Sequence, residues 1–216
     1  MKKRQTIAVF GLGRYGRAVA RELTVQGADV IGVDRDPGLV SEAAAYLPVC
    51  QCADVTDAAV LEKLGIRNVD TVIIAMAESL EASVMTAMLC KEAGVREVIV
   101  KCRNEMHEKI LLRIGADRVV FPERESGIRL ARNLLSSGFI DWMELGGKAA
   151  IAELAVRPDW VGKSLMELRL RERYGINVVA LRRGGAVDMA IDPAAPLTED
   201  IGLIAVADTE KLQKLH

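Results

Sequence analysis

One run constrains this chain more than any other: Ile7-Ala8-Val9-Phe10-Gly11-Leu12-Gly13-Arg14-Tyr15-Gly16. Four apolar residues break into Gly-x-Gly-x-x-Gly and continue into Arg17-Ala18-Val19-Ala20-Arg21-Glu22-Leu23, whose apolar positions recur at helical spacing. A strand turned sharply into a helix aims backbone N–H groups, at the positive end of the helix dipole, toward one spot suited to a phosphate. Gly11 permits the turn, Gly13 the close approach of a pyrophosphate, and Gly16 the packing of helix on strand. The next apolar run, Ala28-Asp29-Val30-Ile31-Gly32-Val33, ends at Asp34, 18 residues past Gly16. A carboxylate there accepts hydrogen bonds from both ribose hydroxyls of an adenosine. Capping the following helix is not its sole task, because Asp36, just ahead of Pro37, is the better N-cap.

Strands and helices then alternate. A helix over about Pro37 to Tyr46 leads to a strand Val49-Cys50-Gln51-Cys52, and Asp57 caps a helix with Val60, Leu61 and Leu64 on one face, ended by Gly65. Val72 to Ala75 is apolar throughout, as a strand covered on both faces must be. A helix through Ser83 to Cys90 ends at Gly94, with Met85, Met88 and Leu89 spaced as core residues. Glu97 to Val100, a helix over about Asn104 to Arg113, and a sixth strand Ala116 to Phe121 stopped by Pro122 complete the series. The pattern predicts a Rossmann-like α/β fold, a doubly wound parallel six-stranded sheet over residues 1–137.

The character changes after Ser137. Phe139, Ile140, Trp142, Met143 and Leu145 form a connecting segment, 138–148, that either tucks onto a core or is buried between subunits. Residues 149–216 read as a small α+β subdomain: a strand Ala149 to Val156, a helix from Ser164, a strand Ile176 to Leu181, a turn at Gly184-Gly185, a strand Val187 to Ile191, and a last strand and helix.

Composition narrows the function classes. A net charge of −1 over 216 residues supplies no field that draws the chain to nucleic acid. No apolar run approaches a membrane span, and the basic start Met1 to Thr6 is followed by a strand and not by a signal-peptide core, so a soluble intracellular chain is expected. Cys50, Cys52, Cys90 and Cys102 lack zinc-site spacing and read as reduced core thiols. His107 has charged helix neighbours and His216 is terminal, so no acid–base pair emerges. No lysine follows Tyr15, Tyr46 or Tyr174 by four positions, which removes the proton relay of short-chain reductases. Lys63, Lys91 and Lys109 read as solvated helix faces.

In an open α/β sheet, ligands lie at the carboxyl ends of the strands. That places Ala53 and Asp54 after strand three, Ala75 and Met76 after strand four, Lys101 to Arg103 after strand five and Glu123 after strand six around one crevice. Arg14, inside the glycine turn, is a guanidinium suited to phosphate oxygens beyond the backbone cradle, with a solvent-facing charge as its other reading.

These residues resemble a known family. Gly-x-Gly-Arg-Tyr-Gly (with Tyr15), Val33-Asp34-Arg35-Asp36, Ala53-Asp54-Val55-Thr56, Leu64-Gly65-Ile66 before Asp70, and Ile114-Gly115-Ala116-Asp117 with Pro122-Glu123 look like the RCK (KTN) nucleotide-binding domain of potassium transport. Val161-Gly162-Lys163-Ser164-Leu165, Arg169, Tyr174-Gly175-Ile176 and Val179-Ala180-Leu181 are similar to its C-terminal ligand-binding subdomain. Glu199-Asp200-Ile201-Gly202 departs from the commoner Gly-Asp turn.

The single-copy arrangement resembles the peripheral Ktr-type subunit. The resemblance implies a homodimer assembling to a ring, commonly an octamer, beneath an integral-membrane potassium channel subunit on the inner face of the membrane. It implies gating, not catalysis, by ATP, ADP or NAD(H). Arg14 then reaches the terminal phosphate and Glu123 assists a magnesium or calcium ion. Arg35 and Tyr15 join the site through their motifs. Some members bind cyclic di-AMP between paired C-terminal subdomains, which makes it a candidate ligand of residues 149–216. A small NAD(P)-dependent reductase and a nucleotide-binding module with another membrane partner are the alternatives.

Overall fold

Parallel strands need a crossover between them, and after each strand of the first unit, residues 1–123, the sequence supplies a helix. The computed structural model describes residues 4–135 and 139–213, with the backbone alone at 132, 133, 135, 139–142, 144, 146 and 213. Ser137 and His216 therefore lie outside the described residues. In order come β1 (Thr6–Phe10), α1 (Arg14–Val25), β2 (Asp29–Asp34), α2 (Pro37–Ala43), β3 (Val49–Cys52) and α3 (Ala58–Lys63). They are followed by β4 (Thr71–Ile74), α4 (Leu80–Glu92), β5 (Glu97–Lys101), α5 (Glu105–Arg113), β6 (Arg118–Val120) and α6 (Pro122–Leu135).

The parallel sheet runs β3-β2-β1-β4-β5-β6, the predicted doubly wound order. Period-two alternation divides its strands between two cores. Ala8, Phe10, Val72 and Ile74 face Leu61, Ala87 and Leu111 from α3, α4 and α5, while Ile7, Val9 and Ile73 face Ala20 and Ala43 from α1 and α2. The strand order reverses between β1 and β4, which opens a crevice beyond their carboxyl ends.

Two aspartates fasten the opposite end of this sheet. Asp70, ahead of β4, accepts the Thr6 N–H at 2.9 Å, and Asp117, ahead of β6, accepts the Val98 N–H at 2.7 Å. Lys91, read from sequence as a solvated face, instead pairs with Asp117 at 2.8 Å. The helix starts follow the expected chemistry: Asp36 accepts from Gly38 and Leu39, Asp57 from Ala59, and Asn104 from His107.

Several expectations need correction. Met85 and Met88 are 47% and 43% exposed, not core. Helix α4 is apolar around most of its circumference, so spacing alone does not choose its inner stripe. The sheet takes the small residues Ser83, Thr86, Ala87 and Cys90, while Leu89 packs beside the core. Ser83 can be buried because its hydroxyl donates to the Met76 and Ser79 carbonyls. Of the thiols, Cys90 and Cys102 are buried, but Cys50 is half-buried and Cys52 exposed, because β3 is an edge strand. Pro122 does more than stop a strand, since it opens α6 at a position where its missing N–H costs nothing. Helix α2 ends at Ala43, ahead of the predicted Tyr46.

The second unit, residues 124–216, is built on an antiparallel sheet. It contains β7 (Phe139–Gly146), β8 (Ala149–Ala155), α7 (Leu165–Leu168), α8 (Leu170–Tyr174), β9 (Asn177–Arg183), β10 (Ala186–Asp188), β11 (Ile201–Asp208) and α9 (Thr209–Gln213). The order is β10-β9-β11-β8-β7. The residues read as a connecting segment thus form an edge strand, with Met143 and Leu145 58% and 52% exposed. The side chains of Phe139, Ile140 and Trp142 lie outside the described ones. Strand β10 stops at Asp188, short of the predicted Ile191. Trp160, Leu168, Leu170, Ile176 and Leu203 form the core of this unit, and a capping box between Ser164 and Glu167 starts α7. No helix among the described residues is long and apolar enough to cross a membrane.

Candidate functional site: the crevice above the parallel sheet

The turn between β1 and α1 gives each glycine a distinct steric reason. Gly11 has φ +91°, and a β-carbon on it would stand 2.9 Å from Met76 Cγ and 3.1 Å from the Ala75 carbonyl carbon. A β-carbon on Gly16 would fall on the Gly11 carbonyl oxygen, so only glycine lets α1 start this close to the strand. At Gly13 a β-carbon would meet nothing within 4 Å, and the backbone there faces open space. Gly13 is also the N-cap of α1, which has no side-chain cap and no acidic residue in its first turn. The leading N–H groups are therefore presented to an external anion.

Asp34 stands beside this turn at the end of β2. Its Oδ2 accepts the Leu12 N–H at 2.6 Å and its Oδ1 accepts the Asp36 N–H at 2.9 Å. One carboxylate thus braces the phosphate turn and retains acceptor capacity for ribose hydroxyls. Ala53 donates its N–H to the Asp34 carbonyl at 3.0 Å, tying the end of β3 to the same place. Asp54 accepts the Thr56 hydroxyl at 2.7 Å and N–H at 3.0 Å, and these bonds hold its carboxyl below the usual aspartate range. Arg14, Arg35 and Arg103 are exposed around the rim.

The far side of the crevice carries a charge cluster. Lys101, at the end of β5, has a side chain only 14% exposed and places Nζ 2.7 Å from Glu123 Oε1. The same ammonium lies 5.5 Å from the centroid of the Tyr15 ring, on the first turn of α1. The Lys101 hydrogen bond, reinforced by the charges of Lys101 and Arg103, holds the Glu123 carboxyl below its ordinary range despite partial desolvation.

Every predicted site residue lies on the β1–α1 turn or just past a strand's carboxyl end, in the first unit. The set of donors and acceptors fits a nucleotide: an uncapped helix start over an open glycine for phosphates, Asp34 for ribose, and Lys101 for further phosphate charge. Sequence reasoning missed the Lys101–Glu123 pair, for which only the adjacency of strands five and six gave a signal. It also missed Cys52, which is exposed and directly opposite Asp34 in the β2–β3 register.

A second concavity lies within the second unit. Leu165, Met166, Arg169, Ile176, Asn177 and Pro193 line a groove of about 420 Å³. Arg169 sits there with φ 45°, in the left-handed region that disfavours a side chain. A polar pocket of about 430 Å³ at the amino end of the parallel sheet includes Asp70, Asp117, Arg4 and Arg96. Both of those aspartates are already occupied by backbone N–H groups.

Comparison with known proteins agrees with this architecture. The TrkA-N domain model matches residues 7–122 and the TrkA-C domain model residues 151–216. Ktr system potassium uptake protein C of Bacillus subtilis is 38% identical over 219 residues, covering 99% of this chain and 97% of that protein. Ktr system potassium uptake protein A of Vibrio alginolyticus is 35% identical over 205 residues, covering 95% and 93%. Among solved structures, the GsuK RCK domain superposes with a TM-score of 0.70 at 20% identity, over 99% of this chain and 47% of that one. The GsuK channel bound to NAD gives 0.67 at 21%, over 98% and 38%. With both domains in order and identity across almost its whole length, the chain belongs to the Ktr family of potassium uptake proteins, built from a TrkA-N and a TrkA-C domain.

Proposed function

We propose that this chain is the nucleotide-sensing regulatory subunit of a potassium uptake system, cytoplasmic and peripheral to the membrane, and that it gates a membrane partner without catalysing a reaction. The observation that carries the reading is the uncapped start of α1 over the open Gly13, braced by Asp34 and faced by Lys101. Membership of a potassium-uptake family supplies the context. A reductase reading would need a proton donor at the crevice, and the positioned polar groups there are the Asp34 acceptor and the Lys101–Glu123 pair.

The ligand is ATP or ADP, with NAD(H) as the competing adenine dinucleotide. A ligand shifts a conformational equilibrium only through unequal affinity for its two states, so ATP and ADP must be told apart at the terminal phosphate. Arg14 supplies the reader of that phosphate, and Glu123 holds a magnesium or calcium ion against it. The chain works as a homodimer built into a ring, for which an octamer is the expected size. The exposed Met143 and Leu145 on edge strand β7 supply apolar contact area. The C-terminal groove suits cyclic di-AMP, since Leu165, Met166 and Ile176 offer apolar faces to purines, Asn177 a base-edge partner and Arg169 a phosphate partner.

Calorimetry on the full chain with ATP, ADP and NAD tests the reading. Arg14→Ala is expected to weaken ATP more than ADP, and equal losses for the two nucleotides would remove Arg14 as the discriminator. Failure of all three ligands to bind would end the nucleotide reading itself.

A further inference from the structure

We infer that Lys101 and Glu123 form a latch which a nucleotide's terminal phosphate opens: the phosphate takes the Lys101 ammonium and so releases the Glu123 carboxylate to a divalent cation. This rests on the nucleotide reading above and adds an order of events to it.

The geometry puts one cation between two claimants. Lys101 Nζ is 2.7 Å from Glu123 Oε1, and the ammonium is also held beside the Tyr15 ring, on the turn that receives phosphates. At 14% exposure the lysine has little freedom to seek partners elsewhere, whereas Glu123, at 61%, faces solvent. A divalent cation approaching Glu123 in the ligand-free chain meets the Lys101 charge at hydrogen-bond distance and the Arg103 charge behind it. Like charges so close make that approach unfavourable. A di- or triphosphate brings several negative charges and competes for the ammonium as a stronger acceptor. Once Lys101 turns to phosphate, Glu123 is left beside the same phosphate, and only a cation between the two acidic groups relieves their repulsion. After the exchange every charge again has a partner.

The latch has a mechanical corollary. Glu123 is the last residue of the first unit and the second residue of α6. The pair therefore ties the end of β5 to the start of the helix that carries the chain out of the nucleotide-binding unit. Opening it frees that helix start only when phosphate is present.

Zero-length carbodiimide coupling of the wild-type chain tests the exchange directly. The reagent joins a lysine amine and a carboxylate already in contact as an amide with net loss of water, and peptide mass spectrometry counts each product. The Lys101–Glu123 product is expected in the free chain and should fall at least tenfold with saturating ATP and magnesium. The Lys91–Asp117 product, from a 2.8 Å pair at the other end of the sheet, should persist as an internal standard. If calorimetry shows ATP bound while the Lys101–Glu123 product holds its ratio to the standard, the latch is refuted and the nucleotide reading stands. If no nucleotide binds, that reading fails and the latch falls with it. As a second measurement, Glu123→Gln frees Lys101, so ATP affinity without metal should rise about fivefold or more and the response to magnesium should vanish, since couplings of this kind run to about 5- to 150-fold. An unchanged metal-free affinity overturns the proposal.

Discussion

Replacing Asp34 with alanine withdraws one acceptor from three sets of donors. Two are visible: the Leu12 N–H at 2.6 Å and the Asp36 N–H at 2.9 Å. The third is the pair of ribose hydroxyls assigned to this carboxylate. Leu12 is fully buried, so its N–H loses its partner away from water, at about 1–3 kcal/mol. The Asp36 N–H is at an exposed residue and turns to solvent at little cost. Hydrogen bonds from ribose to a charged acceptor contribute about 1.5–3 kcal/mol, or about 10- to 150-fold in Kd. Asp34→Asn separates the two effects, because the amide keeps one oxygen for the Leu12 N–H but has neither the charge nor the second acceptor. Urea unfolding should show Asp34→Ala with a lower midpoint at unchanged slope and Asp34→Asn restored close to wild type. Calorimetry with ADP should show both variants weakened. An Asp34→Asn variant that unfolds like wild type and binds ADP equally well would refute the ribose assignment, and an unchanged midpoint in Asp34→Ala would refute the bracing role.

Other perturbations follow from the same geometry. Gly16→Ala drives a β-carbon into the Gly11 carbonyl oxygen, so it should cost about 1–3 kcal/mol or more in urea midpoint and abolish nucleotide binding; a tight-binding, stable variant would contradict the packing described for α1. For Asp117, desolvation pushes the carboxyl up, but the Lys91 hydrogen bond, the Val98 N–H and the Lys91 charge together leave it lowered. Its stabilisation is complete above the ordinary aspartate range and is lost as pH falls through the lowered folded value. Urea midpoints from about pH 5 down to about pH 2 should therefore drop more steeply for wild type than for Asp117→Asn, and parallel curves would deny the linkage. Iodoacetamide should label Cys52 first and leave Cys90, buried and pushed up to about 12, unmodified until urea unfolds the chain; equal labelling rates by mass spectrometry would contradict the burial.

The glycine turn, Asp34 and the strand order were legible because their signals are local: three glycines and an acid at set distances along a strand-turn-helix, then repeated alternation of apolar runs with capped helices. Asp36 before Pro37 announced its cap in the same way. What stayed hidden depends on contacts between distant segments. Nothing near Met85 says that the sheet prefers Ala87 and Cys90, because a helix apolar on most sides has no unique inner stripe. Pro122 is compatible with both the end of a strand and the start of a helix, and the following Glu123-Arg124-Glu125-Ser126-Gly127 shows little apolar period. The Lys101–Glu123 pair joins residues 22 apart whose meeting depends on β5 and β6 lying side by side.

Asp70 and Asp117 divide the parallel sheet into two ends with different freedoms. Each fastens its own segment to a neighbouring strand at the amino end, Asp70 across 64 residues of chain and Asp117 across 19. A one-residue slip of a strand would send its inward side chains to the opposite face, and these carboxylates oppose such a slip where the strands begin. Alignment of the strands is thus specified at the end remote from the crevice. The loops at the carboxyl end can exchange side chains, and with them the ligand recognised, while the strands keep their alignment. A designer seeking a subunit that answers to a different metabolite would vary those loops and leave the two aspartates alone.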